Sequence, residues 1–173
     1  ERLAVIQWMW RMNPLDDDVR LLRMADKLES IKNCFFELKS EGKVGDVACF
    51  PYSAKFMKQV RQLGICKGQI NYVNIFENNA LDVGLNEYTI ALRPLAAGQI
   101  NKIPSELWSE HSNQLGYSRN WTSAQHALAY SLSSPQVISA IVSLNNNEHL
   151  NAAIDVVENL PRDLTLNNYK SIL

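Results

Sequence analysis

Neither sign of charge is in excess in this sequence. The 17 Lys and Arg residues nearly balance the 18 Asp and Glu residues, for a formal net charge of −1, and the basic residues are scattered along the chain. Binding of nucleic acid through surface charge requires a basic face, and binding of cations requires an acidic one. The charge pattern indicates neither face, so we expect no nucleic-acid partner.

Long apolar runs and cysteines are also scarce. No apolar run approaches the roughly 20 residues that a membrane-spanning helix needs, and no stretch has the pattern of a signal peptide, so we expect no membrane partner. The 3 cysteines, Cys34, Cys49 and Cys66, are widely spaced and odd in number. Because Cys34 and Cys49 fall at apolar positions of predicted elements, buried free thiols are favoured over a disulfide or a zinc site. We therefore expect no metal and a reducing, cytoplasmic location.

Segments with the pattern of buried strands alternate with amphipathic segments. The run LAVIQWMW at 3–10 is typical of a strand buried on both faces. From Leu21 to Leu38 apolar residues recur at three- and four-residue spacing, which predicts one helix that ends near Gly42. The acidic residues 16–18 suit its N-terminus. The run KVGDVACF at 43–50 predicts a second strand, and Ser53 the N-cap of a helix over 54–63.

The alternation continues through the rest of the chain. Strands are predicted at 70–76, within 87–95 and at 137–144. Helices are predicted at 121–135, with Thr122 or Ser123 as the N-cap, and from 145–147 onwards. The last helix is expected to bury one apolar stripe, formed by Leu150, Ala153, Ile154, Val157 and Leu160. We expect a turn or a stub of helix over 77–86 and a polar excursion over 96–120. This order predicts parallel βα units in one domain that spans 1–173, a length suited to a single core.

Two histidines carry no metal-site signal. His126 lies in the middle of a predicted helix, where we expect it on the surface or in a packing role. His111 lies in the predicted excursion without a Cys, Asp or His at ligand spacing, which argues against a metal site.

Four stretches resemble the C-terminal half of an aldo-keto reductase, in the order in which that family has them. They are AVIQWMW (4–10), FFELKSEGKVGDVACFPYSA (35–54), YTIALRPLAAGQINK (88–102) and AQHALAYSLSSPQVISAIVSLNNNEHLNAAI (124–154). The resemblance implies an α/β fold of the (β/α)8 TIM-barrel type, of which the chain covers about the second half, barrel strands 4–8. It also implies a chain that starts in mid-fold, because a TIM barrel typically needs about 250 residues.

The activity implied by the resemblance is that of an NAD(P)H-dependent oxidoreductase of carbonyl or sugar substrates. In the family, the catalytic Tyr and the Asp and Lys that tune it lie in the region this chain lacks, so no residue here is assigned a catalytic role. The family positions around the nicotinamide ring carry other side chains here, namely Met9, Phe50, Pro51, Tyr72 and Leu92. The carboxamide of a nicotinamide ring buried beside these side chains would lack hydrogen-bond partners, at a cost of about 1–3 kcal/mol per polar group. These positions therefore predict that a nicotinamide ring is poorly held. The alternative is a non-catalytic descendant that binds a nucleotide or a sugar phosphate.

The phosphate end of the implied dinucleotide site is better preserved. The run RPLAAG keeps Leu95 and Gly98 and adds Arg93, where the family has Ser. Arg93 has the right chemistry to pair with a pyrophosphate, or alternatively to form a salt bridge at the barrel rim.

The adenosine end corresponds to the turn SLNNNEHL, which has the form of an anion-binding helix N-terminus. The resemblance assigns Ser143, Asn145, Asn146 and His149 to cofactor binding there. The Lys and Arg that usually grip the 2′-phosphate are missing, so NADP and NAD both remain candidate cofactors.

The predicted partners follow from the incomplete barrel. A half barrel would leave two open sheet edges and an uncovered apolar face. We therefore expect the chain to form a homo-oligomer or to associate with a missing N-terminal half, in addition to binding a small-molecule or nucleotide ligand.

Overall fold

The computed structural model describes residues 1–13, 16–78, 88–114 and 121–169. Its five strands are β1 (Leu3–Trp8), β2 (Val44–Cys49), β3 (Gly68–Tyr72), β4 (Thr89–Leu92) and β5 (Val137–Ile141). Its α-helices are α1 (Asp17–Ala25), α2 (Leu28–Ser40), α3 (Ala54–Gln62), α4 (Ser105–Gln114), α5 (Ser123–Leu132) and α6 (Asn147–Asn159), and 3-10 segments cover Ala96–Lys102 and Leu166–Tyr169. No helix among these residues is long and apolar enough to cross a membrane.

The strands form one sheet in the order β1-β2-β3-β4-β5. The first two pairings are parallel, with Leu3 opposite Val44 and Trp8 opposite Cys49 in one pair, and Ala48 opposite Gly68 in the next. Strands that follow one another along the chain, separated by helices and paired in parallel, confirm the predicted α/β fold class.

The chain divides into two compact units. Among the described residues, the first unit contains 1–13, 16–71 and 88–89, and the second contains 72–78, 90–114 and 121–169. Each unit has a hydrophobic core of its own.

The core of the first unit lies between β2 and the helices beside it. Val47, Cys49, Phe56, Met57 and Val60 are almost completely buried. The helix α3 begins as predicted, since the Ser53 side chain accepts a hydrogen bond from the Phe56 amide at 3.0 Å. It ends at Gln62, and Gly64, two residues later, has a φ of +66°, a left-handed conformation that glycine adopts without a steric cost.

The strand β1 is less buried than its sequence predicts. Leu3 is 60% exposed, and the other residues of β1 are exposed or half-buried. The prediction of burial on both faces was wrong because β1 is the first strand in the order of the sheet, and an end strand has a neighbour on one side only. An apolar run shows strand propensity but cannot show how many neighbours the strand has.

The helix predicted from Leu21 to Leu38 is two helices. The helix α1 begins at the N-cap Asp16, whose carboxylate accepts from the Val19 amide at 3.0 Å, as the acidic residues 16–18 predict. It ends at Ala25, and α2 starts after Lys27, which has φ −114° and ψ 2°. The apolar spacing continues across this break, so periodicity alone could not reveal it. Gly42 follows α2 with a φ of +70°, as predicted.

The predicted strand at 70–76 is shifted toward the N-terminus. The strand β3 begins at Gly68 and ends at Tyr72, because the Asn74 side chain turns the chain directly afterwards. Its oxygen accepts from the amides of Phe76 and Glu77 at 3.0 and 2.9 Å, a local arrangement that competes with strand pairing. The predicted turn or helix stub at 77–86 falls mostly outside the described residues.

The core of the second unit is rich in aromatic side chains. Trp108, Tyr130 and Tyr169 are buried there with Val156 of α6. The helix α5 starts with a capping box, in which Thr122 and Gln125 each bond the other's backbone amide. The polar excursion predicted at 96–120 contains the helix α4, and residues 115–120 lie outside the described part.

The stripe predicted to be buried on α6 is largely exposed. Leu150 is 42%, Ile154 43% and Val157 65% exposed, whereas Val156 is fully buried. The helix itself begins where predicted, and two members of the predicted stripe, Ala153 and Leu160, do pack against the core of the second unit, together with Val156. Apolar spacing identified the helix and not the side that packs, because apolar residues occupy both sides.

The cysteines agree with the prediction in part. All three are free, and Cys49 and Cys66 are buried. Cys34 is exposed, which contradicts the predicted burial, since it lies on α2, a helix on which no residue is fully buried.

Candidate ligand-binding site

Arg93 follows β4 directly and lies over the ring of Tyr72. The guanidinium carbon is 4.9 Å from the centroid of that ring, within the range of a cation–π contact. Arg93 is exposed, and its carbonyl oxygen accepts from the Ala96 amide at 2.8 Å. The contact with Tyr72 therefore limits the freedom of an exposed cation at the end of a strand.

The turn after Arg93 has an unusual backbone. The φ angles are +52° at Arg93, +48° at Ala96, +52° at Ala97 and +84° at Gly98. A residue with a Cβ pays roughly 1–2 kcal/mol for this left-handed conformation, so the turn stores strain. A Cβ added at Gly98 would meet no atom within 4 Å. Glycine is therefore favoured here by the left-handed backbone conformation and not by a close contact with another residue. Strained backbone of this kind clusters at ligand-binding turns.

A cavity of about 480 Å³ opens beside Arg93, and we call it the Arg93 cavity. Its wall is formed by Tyr72, by the turn at 93–98 and by the end of β5 with Val142 and Ser143. Arg93 is the only Lys or Arg in its lining, which consists entirely of described residues. The cavity thus combines a positively charged group with an apolar wall.

A second cavity has a volume of about 390 Å³. Glu148 is one of its lining residues, and we call it the Glu148 cavity. Both cavities have Leu95, Gly98, Val142 and Ser143 in their linings, so they lie next to each other in the second unit. The other apolar contributors to the Glu148 cavity are Ile100, Leu128, Leu144, Ala124, Ala152 and Ala153. A flat apolar group with a few polar edges would suit such a lining.

One wall of the Glu148 cavity is fixed by hydrogen bonds between α5 and α6. The Gln125 amide nitrogen donates to Asp155 at 3.0 Å, and its oxygen accepts from the Thr122 amide at 3.0 Å. The Trp121 indole also donates to Asp155, at 3.0 Å. These bonds hold the Gln125 side chain in one orientation.

The residues predicted for the site fall into two groups. Leu95, Gly98 and Ser143 line both cavities, Arg93 lines the Arg93 cavity and His149 lines the Glu148 cavity.

The other two predicted residues, Asn145 and Asn146, line neither of these cavities. Asn146 is the N-cap of α6, and its side chain accepts from the His149 amide at 2.8 Å. Sequence reasoning did not place Thr122 or Gln125 at this site, and Thr122 was considered only as a candidate helix cap. Glu148 lies in the turn SLNNNEHL that the resemblance places at the adenosine end, but it was not itself assigned to cofactor binding.

The turn after β2 is hydrogen-bonded to a buried arginine side chain of the same unit. The Arg20 guanidinium, completely buried, donates to the Pro51 carbonyl and to the Trp10 carbonyl, both at 3.0 Å. It also forms an ion pair with Asp17 at 2.8 Å and lies 3.7 Å from the Phe56 ring centroid. The apolar residues of this turn therefore surround a structural arginine.

The positions that the resemblance assigns to the nicotinamide ring do not fit it. In the first unit, Phe50 is buried, and the Met9 sulfur accepts a hydrogen bond from the Tyr52 hydroxyl at 2.8 Å. In the second unit, Leu92 is an apolar side chain and the Tyr72 ring is in contact with Arg93. In the first unit, Phe50 and Pro51 have no polar side-chain atom, so they offer neither a donor to the carboxamide oxygen nor acceptors to its two N–H groups. The same holds for the Leu92 side chain in the second unit.

Two buried histidines meet in the second unit, and neither is a lining residue of the two cavities. The rings of His111 and His126 are 5.8 Å apart, and His126 stacks on Trp108 at 5.2 Å. Burial, and secondarily the charge of His111, lowers the pKa of His126 from 6.5 to about 4, and burial also lowers the pKa of His111. The predicted packing role of His126 thus agrees with its surroundings. Among the described residues, no three His, Cys, Asp or Glu side chains could hold a metal ion together.

No model of a known protein family matches this sequence, and no sequence of a characterised protein matches it. Solved structures do match. The holo form of an aldo-keto reductase from Bacillus halodurans gives a TM-score of 0.65 at 15% identity over 99% of this chain and 58% of that one. An aldo-keto reductase from Klebsiella pneumoniae in complex with NADP and acetate gives 0.63 at 16% identity, over 99% and 59%.

A thermostable aldo-keto reductase in complex with the inhibitor epalrestat gives a TM-score of 0.62 at 14% identity, over 99% of this chain and 60% of that one. The chain therefore spans less than two thirds of the length of these structures. Together with the order of the strands, the likeness gives the fold: that of the C-terminal half of an aldo-keto reductase (β/α)8 barrel.

Proposed function

We propose that this half of an aldo-keto-reductase-type barrel binds a nucleoside diphosphate or a dinucleotide, and that it has no catalytic residues of its own. The observation that carries the proposal is the pair of adjacent cavities in the second unit. One contains the Arg93 cation and the other is mainly apolar, and both have Leu95, Gly98, Val142 and Ser143 in their linings. A nucleotide has the matching two parts, a charged phosphate group and a flat base.

The phosphate group is assigned to the Arg93 cavity. A guanidinium can donate two parallel hydrogen bonds to a phosphate, and such charge-assisted bonds are among the strongest in proteins. The contact with Tyr72 orients this side chain in advance, which reduces the entropy lost on binding. The Ser143 hydroxyl is available as a further polar group at the boundary of the two cavities.

The base and its ribose are assigned to the Glu148 cavity. Its volume of about 390 Å³ falls in the usual range for small-molecule sites, and its lining has the usual mixture of apolar walls and a few polar groups. Asn101, Glu148 and His149 line this cavity and supply donors and acceptors for a base and for ribose hydroxyls.

The substitutions around the nicotinamide position favour a binding role over hydride transfer. Burying a carboxamide beside Phe50 and Pro51 would leave its polar atoms unpaired, at about 1–3 kcal/mol per group. The Pro51 carbonyl is already bonded to Arg20. These residues would therefore not hold a nicotinamide ring in one orientation.

The second candidate is an NAD(P)H-dependent reductase of carbonyl or sugar substrates whose catalytic Tyr, Asp and Lys lie outside this sequence. It is favoured by the similar structures, which are aldo-keto reductases and include complexes with NADP and NADPH. In that case this chain would contribute the cofactor phosphate and adenosine contacts, and general-acid chemistry would come from elsewhere.

Association is part of the proposal. Ile138 of β5, and Ile154 and Val157 of α6, are between 43% and 65% exposed, and all three line the same groove between this strand and this helix. An exposed apolar surface on an end strand and its neighbouring helix is typical of an interaction site. We expect this face to be covered by a second copy of the chain, or by the remaining part of a barrel where one is present.

The test is a calorimetric titration of ADP into the wild-type chain, the Arg93→Ala variant and the Arg162→Ala variant. Arg162 is an exposed arginine of the same unit that lines neither cavity, so it is the matched control. We expect Arg93→Ala to weaken ADP binding about tenfold or more, the equivalent of one charge-assisted hydrogen bond. Equal dissociation constants for Arg93→Ala and the wild type would remove Arg93 from the site, and no heat with wild-type chain would contradict the function.

A further inference from the structure

The sheet ends in two strands, β1 and β5, that each have a neighbour on one side only. On β1, Leu3 is 60% exposed, and on β5, Ile138 is 62% exposed. The outer edge of an end strand presents backbone N–H and C=O groups to which a further strand can bond. Each copy of the chain therefore offers two edges for association, and the two edges differ in sequence.

Both end strands have one side that packs on the core of their own unit. Ile6 and Trp8 of β1 contact the core of the first unit, and Ala140 of β5 contacts the core of the second. Side chains alternate between the two sides of a strand, so even-numbered residues of both strands point to the packed side. A parallel pairing that sets even-numbered residues of β1 opposite even-numbered residues of β5 would join the two packed sides.

The groove between β5 and α6 follows the open edge of β5. It has a volume of about 580 Å³, and the consecutive residues 137–140 all belong to its lining, which fits an edge better than one face of a strand. Glu158 is the only charged residue in this lining, which consists entirely of described residues. Because α6 starts just beyond the end of β5 and lines the groove together with it, its last turn with Glu158 lies toward the start of β5.

The start of β1 has the charge that complements Glu158. Arg2 directly precedes β1, and Arg2 and Glu158 are both exposed. Neither forms an ion pair with another described residue. By the alternation of side chains, Arg2 points to the packed side of β1. A β1 strand laid parallel to β5 would therefore bring Arg2 to the end of the groove where Glu158 lies. A contact between two β5 strands would offer Glu158 no cation from the groove lining, which contains neither Lys nor Arg.

We infer that the open edge of β5 in one copy pairs in parallel with the open edge of β1 in a second copy, with an ion pair between Glu158 and Arg2 across the contact. The inference rests on the association that is part of the proposed function, and it names the surface that covers the β5 and α6 face. The contact is heterologous, since two different surfaces meet. Every copy keeps one unused edge after the first contact, so assembly continues beyond a dimer unless a ring closes.

The experiment blocks each edge in a separate variant. Val157→Glu places a carboxylate in the groove and blocks the β5 edge. Ala4→Glu places one on the packed side of β1, at a position that is exposed in the single chain, and blocks the β1 edge. Sedimentation velocity measures the mass of each variant alone and of their equimolar mixture. In the mixture, the intact β1 edge of Val157→Glu can still pair with the intact β5 edge of Ala4→Glu.

We expect both variants to be monomeric at a concentration at which the wild-type chain associates, and their mixture to form a dimer that grows no further. Ala4→Glu that associates like the wild type, or a mixture that stays monomeric, would overturn the pairing of β5 with β1. Association through β5 and α6 alone would then remain. A wild-type chain that is monomeric at every concentration would overturn both. The titration with ADP tests the nucleotide site independently of these outcomes.

A second set of variants tests the ion pair. Arg2→Glu should weaken association about fivefold or more at low salt and less at high salt, because screening weakens interactions between exposed charges. The chain with both Arg2→Glu and Glu158→Arg should regain the wild-type association, which separates a lost ion pair from a folding defect. Arg23→Glu changes an exposed arginine on α1 and should have no effect. Association unchanged in Arg2→Glu, or not regained in the double variant, would overturn the ion pair.

Discussion

Arg20 links three separate parts of the first unit. Its guanidinium bonds to the carbonyls of Trp10 and Pro51 and to the carboxylate of Asp17, and the Trp10 indole donates back to the Arg20 carbonyl at 3.2 Å. A buried cation is tolerated only where such partners replace water. The turn at 50–52 is therefore part of the fold of this unit, whatever ligand the protein binds.

Replacing Arg20 by Met should destabilise the protein. The variant keeps much of the side-chain volume but leaves two carbonyls and one carboxylate without their donor, at an expected cost of about 3 kcal/mol. Urea unfolding measures the change. Arg23 lies on the same helix and is exposed, so Arg23→Met provides the reference. A loss of stability in Arg20→Met no larger than in Arg23→Met would show that the buried bonds contribute nothing.

Individual residue roles were predictable only where the signal was local. Asp16, Ser53 and Thr122 were identified as candidate caps because capping depends on residue type and on the next three residues. The role of Arg20 depends on Trp10 and Pro51, which are 10 and 31 residues away. The Gln125–Asp155 bond spans 30 residues. Spacing in the sequence contains no information about such pairs.

At the scale of elements, the helices α4 and α5 meet through the two buried histidines. His126 Nε2 is 2.8 Å from the Ser112 hydroxyl, and that hydroxyl donates to the Trp108 carbonyl at 3.0 Å. The hydroxyl therefore accepts from His126, which places the proton on Nε2. The groups around the pair are aromatic, including Trp121 and, next to His111, Tyr169, and no described ion pair reaches them.

This contact predicts a loss of stability in acid. The pKa of His126 is about 4 in the folded chain against 6.5 as its ordinary value, so between these pH values the unfolded chain binds more protons. The contribution of His126 to the free energy of unfolding should then level off above pH 6.5 and fall by about 2–3 kcal/mol as the pH decreases to 4. Urea unfolding at pH 7, 6, 5 and 4.5 measures the slope.

Variants assign the slope to this residue. His126→Gln should have lower stability at pH 7 and a flatter dependence on pH, because the titrating group is gone. His149→Gln removes an exposed histidine and should retain the wild-type slope. If His126→Gln keeps the full slope, the acid sensitivity arises elsewhere and the buried pair does not cause it.

The order of elements was predictable and their packing was not. Periodicity and caps located every described α-helix except α4, and the apolar runs located all five strands. The break at residues 26–27 was missed because Leu21, Met24, Leu28 and Ile31 keep a helical spacing across it. The end of β3 was missed because Asn74 turns the chain within a run that is otherwise typical of a strand. On α6, Leu150, Ile154 and Val157 were wrongly predicted to be buried, because apolar residues occupy both sides of this helix.

At the scale of the whole molecule, an apolar face on β5 and α6 stays exposed in the folded chain. The chain corresponds to about 60% of the length of the similar reductases, so their barrels contain further elements. A face of this composition should not remain in contact with water at high protein concentration.

We predict that the isolated chain self-associates through this face. Val157→Glu introduces a charge at a position that is 65% exposed, so it should shift the chain toward monomer without a loss of folding. Leu22→Glu, at a 70% exposed position of α1, should leave association unchanged. Sedimentation velocity at several concentrations measures both. A wild-type chain that stays monomeric at 100-fold dilution and at the highest concentration alike would contradict the prediction.

A crystal structure of the chain grown with ADP tests most directly whether a nucleotide binds in the two adjacent cavities. We predict diphosphate oxygens within about 3 Å of the Arg93 guanidinium and the adenine in the Glu148 cavity, between Leu95 and Ala153. A diphosphate bound away from Arg93, or a base outside the Glu148 cavity, would contradict the proposed site.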